Sequence, residues 1–278
     1  MDADTLSLLI WLVPLLLLAG AVAGVLAGLL GVGGGIVIVP ALYHIFSYLE
    51  IDPSVRMHLA VGTSLATIIP TSIRSVRAHH ARGSFDRTLF NAWVPGIIIG
   101  VMLGTSLANL ADFGVLTLVF ATVALIVSAY MAIGNADWKL ADGLPANPGN
   151  SLMAAIVGAI SAMMGIGGGT LSVPILNLFG VPIHRSVGTA AGFGLVIAIP
   201  ATLGFIIGGW NTPLLPAFSF GYVNWLGFIV IVPATVLMVP TGAKLAHSLS
   251  QTGLRRAFAL FLGITSLRMF VDIFSLGS

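Results

Sequence analysis

Long apolar runs broken by short polar turns organise this chain. From Thr5 to Leu49 there is no Asp, Glu, Lys or Arg, and the same is true from Ser186 to Ala243. A transmembrane helix needs about 20 apolar residues, so each run exceeds one crossing. Membrane barrels show short segments of alternating polarity instead, which is not the pattern here.

In order, the pattern predicts helices over Leu6–Leu30 and Ile36–Leu49, split by the string Gly28-Leu-Leu-Gly-Val-Gly-Gly-Gly35 that runs on to Pro40. A polar turn, Glu50-Ile-Asp-Pro-Ser54, precedes a helix over Met57–Ile73. The basic segment Arg74–Arg87 follows, then helices over Thr88–Leu110 and Phe113–Gly134. Residues 135–150, rich in Asp, Pro, Gly and Asn, read as a linker. Beyond it, Ser151–Met164 and Leu171–Phe179 flank a second string, Gly165-Ile-Gly-Gly-Gly-Thr170, which runs on to Pro174. Helices over Ser186–Gly209, Val223–Ala246 and Gly253–Phe274 complete the chain.

The two halves share a plan. Gly24, Gly31, Gly33–Gly35, Val39, Pro40 and Leu42 match Gly158, Gly165, Gly167–Gly169, Val173, Pro174 and Leu176 at one constant offset. Val61-Gly-Thr63 then matches Val187-Gly-Thr189, and Pro95 and Gly104 match Pro233 and Gly242. The expected division is a first repeat over 1–134, a linker over 135–150 and a second repeat over 151–278.

Composition agrees with the run lengths: 58% of residues are hydrophobic and 7% charged, with a mean hydropathy of +1.08, against about 25% charged in soluble domains. The net charge of +2 gives no reason to expect nucleic acid. Without Cys there are no disulfides or thiolate sites. Asp2 and Asp4 stand where a signal peptide is basic, so the first apolar segment is read as part of the fold.

The basic residues serve as topology signals. The loop with Arg74, Arg77, Arg82 and Arg87 has a charge-free counterpart, Trp210–Tyr222, in the second half, while Lys244, Arg255 and Arg256 follow one helix later. Equivalent loops then lie on opposite sides, which makes the repeats inverted. The expected fold class is an all-α polytopic membrane protein of two inverted-topology repeats, each a glycine-broken helical hairpin plus three transmembrane helices. The shortness of Ser151–Met164 and Leu171–Phe179 favours a re-entrant path in the second half; in the first, Leu6–Leu30 is long enough to span alone.

The breaks suggest chemistry. Each glycine costs a helix about 1 kcal/mol relative to Ala, and freed backbone groups in hydrocarbon survive only beside protein or a polar cavity. Paired breaks in two halves point to a transporter's binding site. The amides that open the following half-helix attract an anion without a basic side chain. Gly33, Gly34 and Gly35 in one half and Gly167, Gly168 and Gly169 in the other are the candidate binding residues, with hydroxyls from Thr63, Ser64, Thr170 and Thr189 completing an oxyanion shell.

Other features read as structural. Gly24, Gly28, Gly158 and Gly192 suit close helix packing, and Thr67 and Thr71 suit bonds to the preceding turn. Arg268 and Asp272 are spaced as a helix-surface pair. His44, His58 and His184 sit at segment ends, where a wetted interfacial His is the common case. No P-loop or dinucleotide motif is present in context. No nucleophile–base pair, metal cluster or cofactor motif is visible, so the chain is not read as an enzyme.

The doubled Gly-Val-Gly-Gly-Gly and Gly-Ile-Gly-Gly-Gly elements, each followed by Pro and then Val-Gly-Thr, resemble those of the sulfite exporter TauE/SafE family, also called toluene-sulfonate uptake permeases. The resemblance covers nearly the whole chain. It implies a prokaryotic inner-membrane carrier of small sulfur anions: sulfite, thiosulfate, or organosulfonates such as sulfoacetate and taurine derivatives. It carries over Gly31–Gly35, Gly165–Gly169, Thr63 and Thr189; Thr189 is followed by Ala190 where Thr63 is followed by Ser64. The expected function is alternating-access transport across the cell inner membrane, with an anion channel built on the same helix ends as the alternative. The expected partners are the small anion and the lipid bilayer. The coupling ion, transport direction and assembly, a homodimer included, stay open.

Overall fold

The structure, a computed structural model, describes residues 3–30, 34–133, 138–245 and 251–276. Among them are α1 (Ala3–Leu30), α2 (Gly35–Tyr48), α3 (Pro53–Ala81), α4 (Arg87–Leu110), α5 (Phe113–Ile133), α6 (Gly149–Met164), α7 (Gly169–Leu178), α8 (Ile183–Gly209), α9 (Trp225–Leu245) and α10 (Gln251–Leu276). A two-residue hairpin, β1 (Ser219–Phe220) against β2 (Val223–Asn224), precedes α9. Five of the described helices are long and apolar enough to cross a membrane. The fold is that of an all-α polytopic membrane protein.

Local chemistry explains where the ends differ from the sequence expectation. α3 begins at Pro53 rather than Met57 because the Asp52 carboxylate accepts the Ser54 amide at 2.9 Å and Pro53 has no amide to leave unpaired. It runs on to Ala81, so Arg74 and Arg77 stand on a helix rather than in a loop. α9 starts at Trp225 because Val223 and Asn224 pair with Phe220 and Ser219. Asn224 Oδ1 then accepts the Gly227 amide at 2.9 Å and caps the helix.

Residue pairs fix how the helices run. α3 and α8 are antiparallel, with Gly188 on Ser84, Gly194 on Ser72 and Phe205 beside His58. So are α5 and α10: Ser128 Oγ donates to Ala259 O and Ser266 Oγ to Ala121 O, both at 2.6 Å. α4 and α6 run together, Gly96, Gly100 and Gly104 lying against Ser151, Ala155 and Ala159. α1 and α9 do the same, Gly20 and Gly24 lying against Ile231 and Thr235. Exchanging α1–α5 with α6–α10 maps this scheme onto itself: α1–α9 becomes α6–α4, while α3–α8 and α5–α10 become themselves.

Both glycine breaks reverse the chain. Gly34 lies back beside Ala23 of α1, and α2 then descends α3 from Gly35 at Ile68 to Ser47, whose Oγ accepts from Arg56 Nη1 at 3.1 Å. In the second half α6 and α8 run in the same direction as α4, while α7 runs back along α8 from Gly168 at Phe193. Each break is the tip of a hairpin.

Charge is sorted along the bundle. Arg82, Arg87 and Arg185 gather where α3 ends and α4 and α8 begin, with Arg74 and Arg77 on the last turns of α3. Asp86 and Asp142 stand at that end too, beside Arg185 and Lys139. Glu50, Asp52 and Asp112 occupy the turns at the opposite end. Arg56 is buried there, its Nη2 and Nη1 donating to Ile51 O at 2.8 Å and Ser47 Oγ at 3.1 Å. The Asp52 carboxyl is held below its ordinary pKa by the Ser54 hydroxyl and amide.

Candidate functional site

The two breaks meet inside the bundle. Gly165 ends α6 in the left-handed region, φ 67°, its amide donating to Ala162 O while the Ile166 amide donates to Ser161 O, a pattern that ties off the last carbonyls. Gly34, φ 76°, plays the left-handed part at the start of α2. A Cβ on Gly35 would lie 2.6 Å from Gly165 O and 3.0 Å from Ile166 Cα, so only glycine lets the tips approach. Ser64 Oγ donates to Gly165 O at 2.7 Å and pins the second tip to α3.

α7 starts at Gly169 with Gly168 as its cap residue and no side-chain cap. The amides of its first turn therefore lack intrahelical acceptors. They border a cavity of about 10 Å³ whose walls include Gly167–Gly169 of the tip, Thr71, Ser72 and Ser75 of α3, and Ala191 and Gly194 of α8. That is room for about one water. None of the residues lining it is charged.

The predicted site residues divide into three groups. Gly167, Gly168 and Gly169 line the cavity, and Thr170 is buried next to them with an unpartnered hydroxyl. Gly35 and Ser64 brace the second tip, while Gly34 lies against Ala23 of α1. Thr63 and Thr189 do not line the cavity: Thr63 Oγ1 accepts the Asn224 amide at 2.9 Å and Thr189 Oγ1 accepts the Asp86 amide at 3.0 Å. Gly33 lies outside the described residues. Thr67 and Thr71 bond Ser64 O and Thr67 O of the preceding turn, as expected.

Sequence reasoning missed Ser72 and Ser75. The signal was present as hydroxyls at Thr71, Ser72 and Ser75 near the end of a long helix, but Ser75 fell beyond the expected helix end at Ile73 and Ser72 stood on its last turn. It also misplaced His58, which is not a wetted interfacial residue: the ring is buried, its Nε2 lies 2.9 Å from Ala108 O, and it sits 4.8 Å from the Tyr222 ring. His184, in contrast, is exposed.

Outside the apolar spans, Asp86 is the notable ionisable group. Burial works to raise its carboxyl pKa, but hydrogen bonds from the Leu89 amide and Arg185, with the Arg185 charge, outweigh it and hold the group below the ordinary carboxylate value.

Comparison with known proteins agrees with this architecture. The model of the sulfite exporter TauE/SafE family matches residues 16–269. A probable membrane transporter protein of Haemophilus influenzae is 33% identical over 259 residues, which cover 92% of this chain and 97% of that protein. Another from Methanocaldococcus jannaschii is 30% identical over 271 residues, with 93% and 95% covered. The probable membrane transporter protein YunE of Bacillus subtilis is 25% identical over 256 residues, with 85% and 88% covered. With its apolar spans and a family match over nearly its whole length, this chain is a multi-pass membrane transporter and belongs to the sulfite exporter TauE/SafE family.

Proposed function

We propose that the chain is a secondary carrier of small sulfur oxyanions, sulfite, thiosulfate or an organosulfonate, working by alternating access between repeats over 1–134 and 151–278 across the cell inner membrane. The observation that carries this reading is the uncapped start of α7, which faces Ser72 and Ser75 across a cavity without charged walls. Helix-start amides and hydroxyls suit the oxygens of an anion. A site without fixed charge leaves the empty carrier nearly neutral, so it reorients without moving a buried ion through the membrane.

Three further observations support it. Equivalent helices α3 and α8, and α5 and α10, run antiparallel, as an inverted repeat requires. The Arg-rich end, which the positive-inside rule places in the cytoplasm, carries Arg74, Arg77, Arg82 and Arg87 of the first half and Arg185 of the second. The cavity has room for about one water, a narrowness that fits a carrier better than an open pore.

The test is a stability screen of purified protein against sulfite, thiosulfate, sulfate, taurine and sulfoacetate, followed by counterflow in proteoliposomes. Stabilisation by one sulfur anion and saturable counterflow are expected. Single-channel currents would instead establish the channel alternative, and no response to any of the five anions would sink the substrate class.

A further inference from the structure

Val-Gly-Thr, the repeated motif that stands away from the cavity, has a structural partner in the opposite half. In α3, Gly62 leaves space for the backbone of Tyr222, whose carbonyl carbon would lie 3.0 Å from an added Cβ. Thr63 Oγ1 accepts the Asn224 amide, and Asn224 Oδ1 caps α9. In α8, Gly188 leaves space for the backbone of Ser84, whose carbonyl carbon would lie 2.7 Å from an added Cβ. Thr189 Oγ1 accepts the Asp86 amide, and Asp86 Oδ1 caps α4 by accepting the Leu89 amide at 3.1 Å. The arrangements correspond residue for residue. In each, the motif is a socket that holds the start of the fourth helix of the other repeat.

The sockets lie toward opposite ends of the bundle and differ in chemistry. The Thr189 socket stands at the Arg-rich end, where the exposed Arg185 guanidinium pairs with Asp86. The Thr63 socket holds a neutral Asn224 and is sealed by Tyr222, which packs on His58 and, at 6.4 Å, on Phe205. Both are filled here.

We propose that the two sockets are the latches of alternating access. Docking of α4 at Thr189 closes the Arg-rich face, docking of α9 at Thr63 closes the other, and each face opens when its helix start leaves its socket. The latch at the Arg-rich face carries an ion pair and is the one that salt weakens. This rests on the alternating-access reading above, and the test separates the two.

Because the chain contains no Cys, Ala191→Cys on the cavity wall is a single reporter for a charged, impermeant thiol reagent applied to either face of membrane vesicles. Leaving a buried amide without its acceptor costs about 1–3 kcal/mol. Thr189→Val is therefore expected to speed labelling from the Arg-rich face about tenfold or more, with no change from the other face. Thr63→Val should do the reverse, and Thr189→Ser should restore the parent pattern. Asp86→Asn keeps the cap, loses the ion pair and should raise labelling from the Arg-rich face severalfold; high salt should do the same in the parent. Unchanged labelling in folded Thr189→Val, or opening of both faces together, overturns the proposal. If Thr189→Val does not accumulate, the Asp86→Asn and salt arms decide it, and no change in either overturns it. A reporter labelled equally from both faces, with no protection by sulfite, would sink the carrier reading, while the face-selectivity of Thr189→Val still decides the latches.

Discussion

Helices α3 and α8 occupy equivalent places at the centre of the bundle and carry the same Val-Gly-Thr socket, yet they differ where they face the glycine tips. At the offset that aligns the sockets, Thr71, Ser72 and Ser75 of α3 correspond to Ile197, Ala198 and Ala201 of α8, all three buried and apolar or small. The two helices therefore share a scaffold contact without sharing a polar lining. The starts of α2 and α7 both lack a side-chain cap, but the hydroxyl wall borders the α7 tip, and the functional reading is of a single site rather than a symmetric pair.

The largest expected effect is at the tip itself. Gly168→Val should abolish transport while leaving membrane insertion intact, because the new Cβ would lie 2.5 Å from Phe193 Cβ and 3.1 Å from the Gly194 amide; uptake of labelled sulfite into proteoliposomes measures it. Gly34→Val should have a similar outcome for another reason: φ is 76° and Ala23 O would be 3.0 Å away, adding a left-handed penalty of about 1–2 kcal/mol. Normal transport by either variant would end the glycine argument.

Next in size is the contrast between the walls. Ser72→Ala should weaken sulfite binding about tenfold with little change in melting temperature, since Ser72 has no hydrogen-bond partner to lose among the described residues. Ala198→Ser, the matching change in α8, should leave affinity as it was. Equal effects from the two would restore the symmetric picture. A smaller, structural effect belongs to Ser64→Ala, which strips a partner from buried Gly165 O and should lower stability by about 1 kcal/mol in thermal denaturation.

The smallest effect concerns pH. Because the folded Asp86 pKa is depressed, its contribution is complete above the ordinary Asp value of about 4 and is lost only as pH falls through the lower folded value. Labelling of the Ala191→Cys reporter from the Arg-rich face should thus stay flat across neutral and mildly acidic pH and rise only in stronger acid. A rise near neutrality would assign the response to another group.

Much of the fold was legible because membrane burial leaves coarse marks: apolar runs, glycine interruptions and the placement of arginines. The break at Gly167–Gly169, which lines the cavity, was legible for the same reason, since three adjacent glycines have few uses in a packed helix. The hydroxyl partners were not. Thr63 meets Asn224 at a separation of 161 residues and Thr189 meets Asp86 at 103, and no local pattern distinguishes a threonine aimed at a ligand from one aimed at a distant amide. The reversal at Gly34 was expected as a hairpin but less sharply than the second, because Leu6–Leu30 satisfied the length of a full crossing; the contact with Ala23 shows the chain folding back.

The glycine faces of α4 and α1 carry a mechanical consequence. Gly96, Gly100 and Gly104 bring α4 into backbone contact with α6, and Gly20 and Gly24 bring α1 into the same contact with α9. The first arm of each hairpin is thereby interlocked with the fourth helix of the other repeat. Any motion that keeps these interlocks intact cannot part the molecule along its sequence halves. On the proposed carrier reading, the sequence repeat and the moving body are then different partitions of the described helices: one cut falls between α5 and α6, the other runs through both halves.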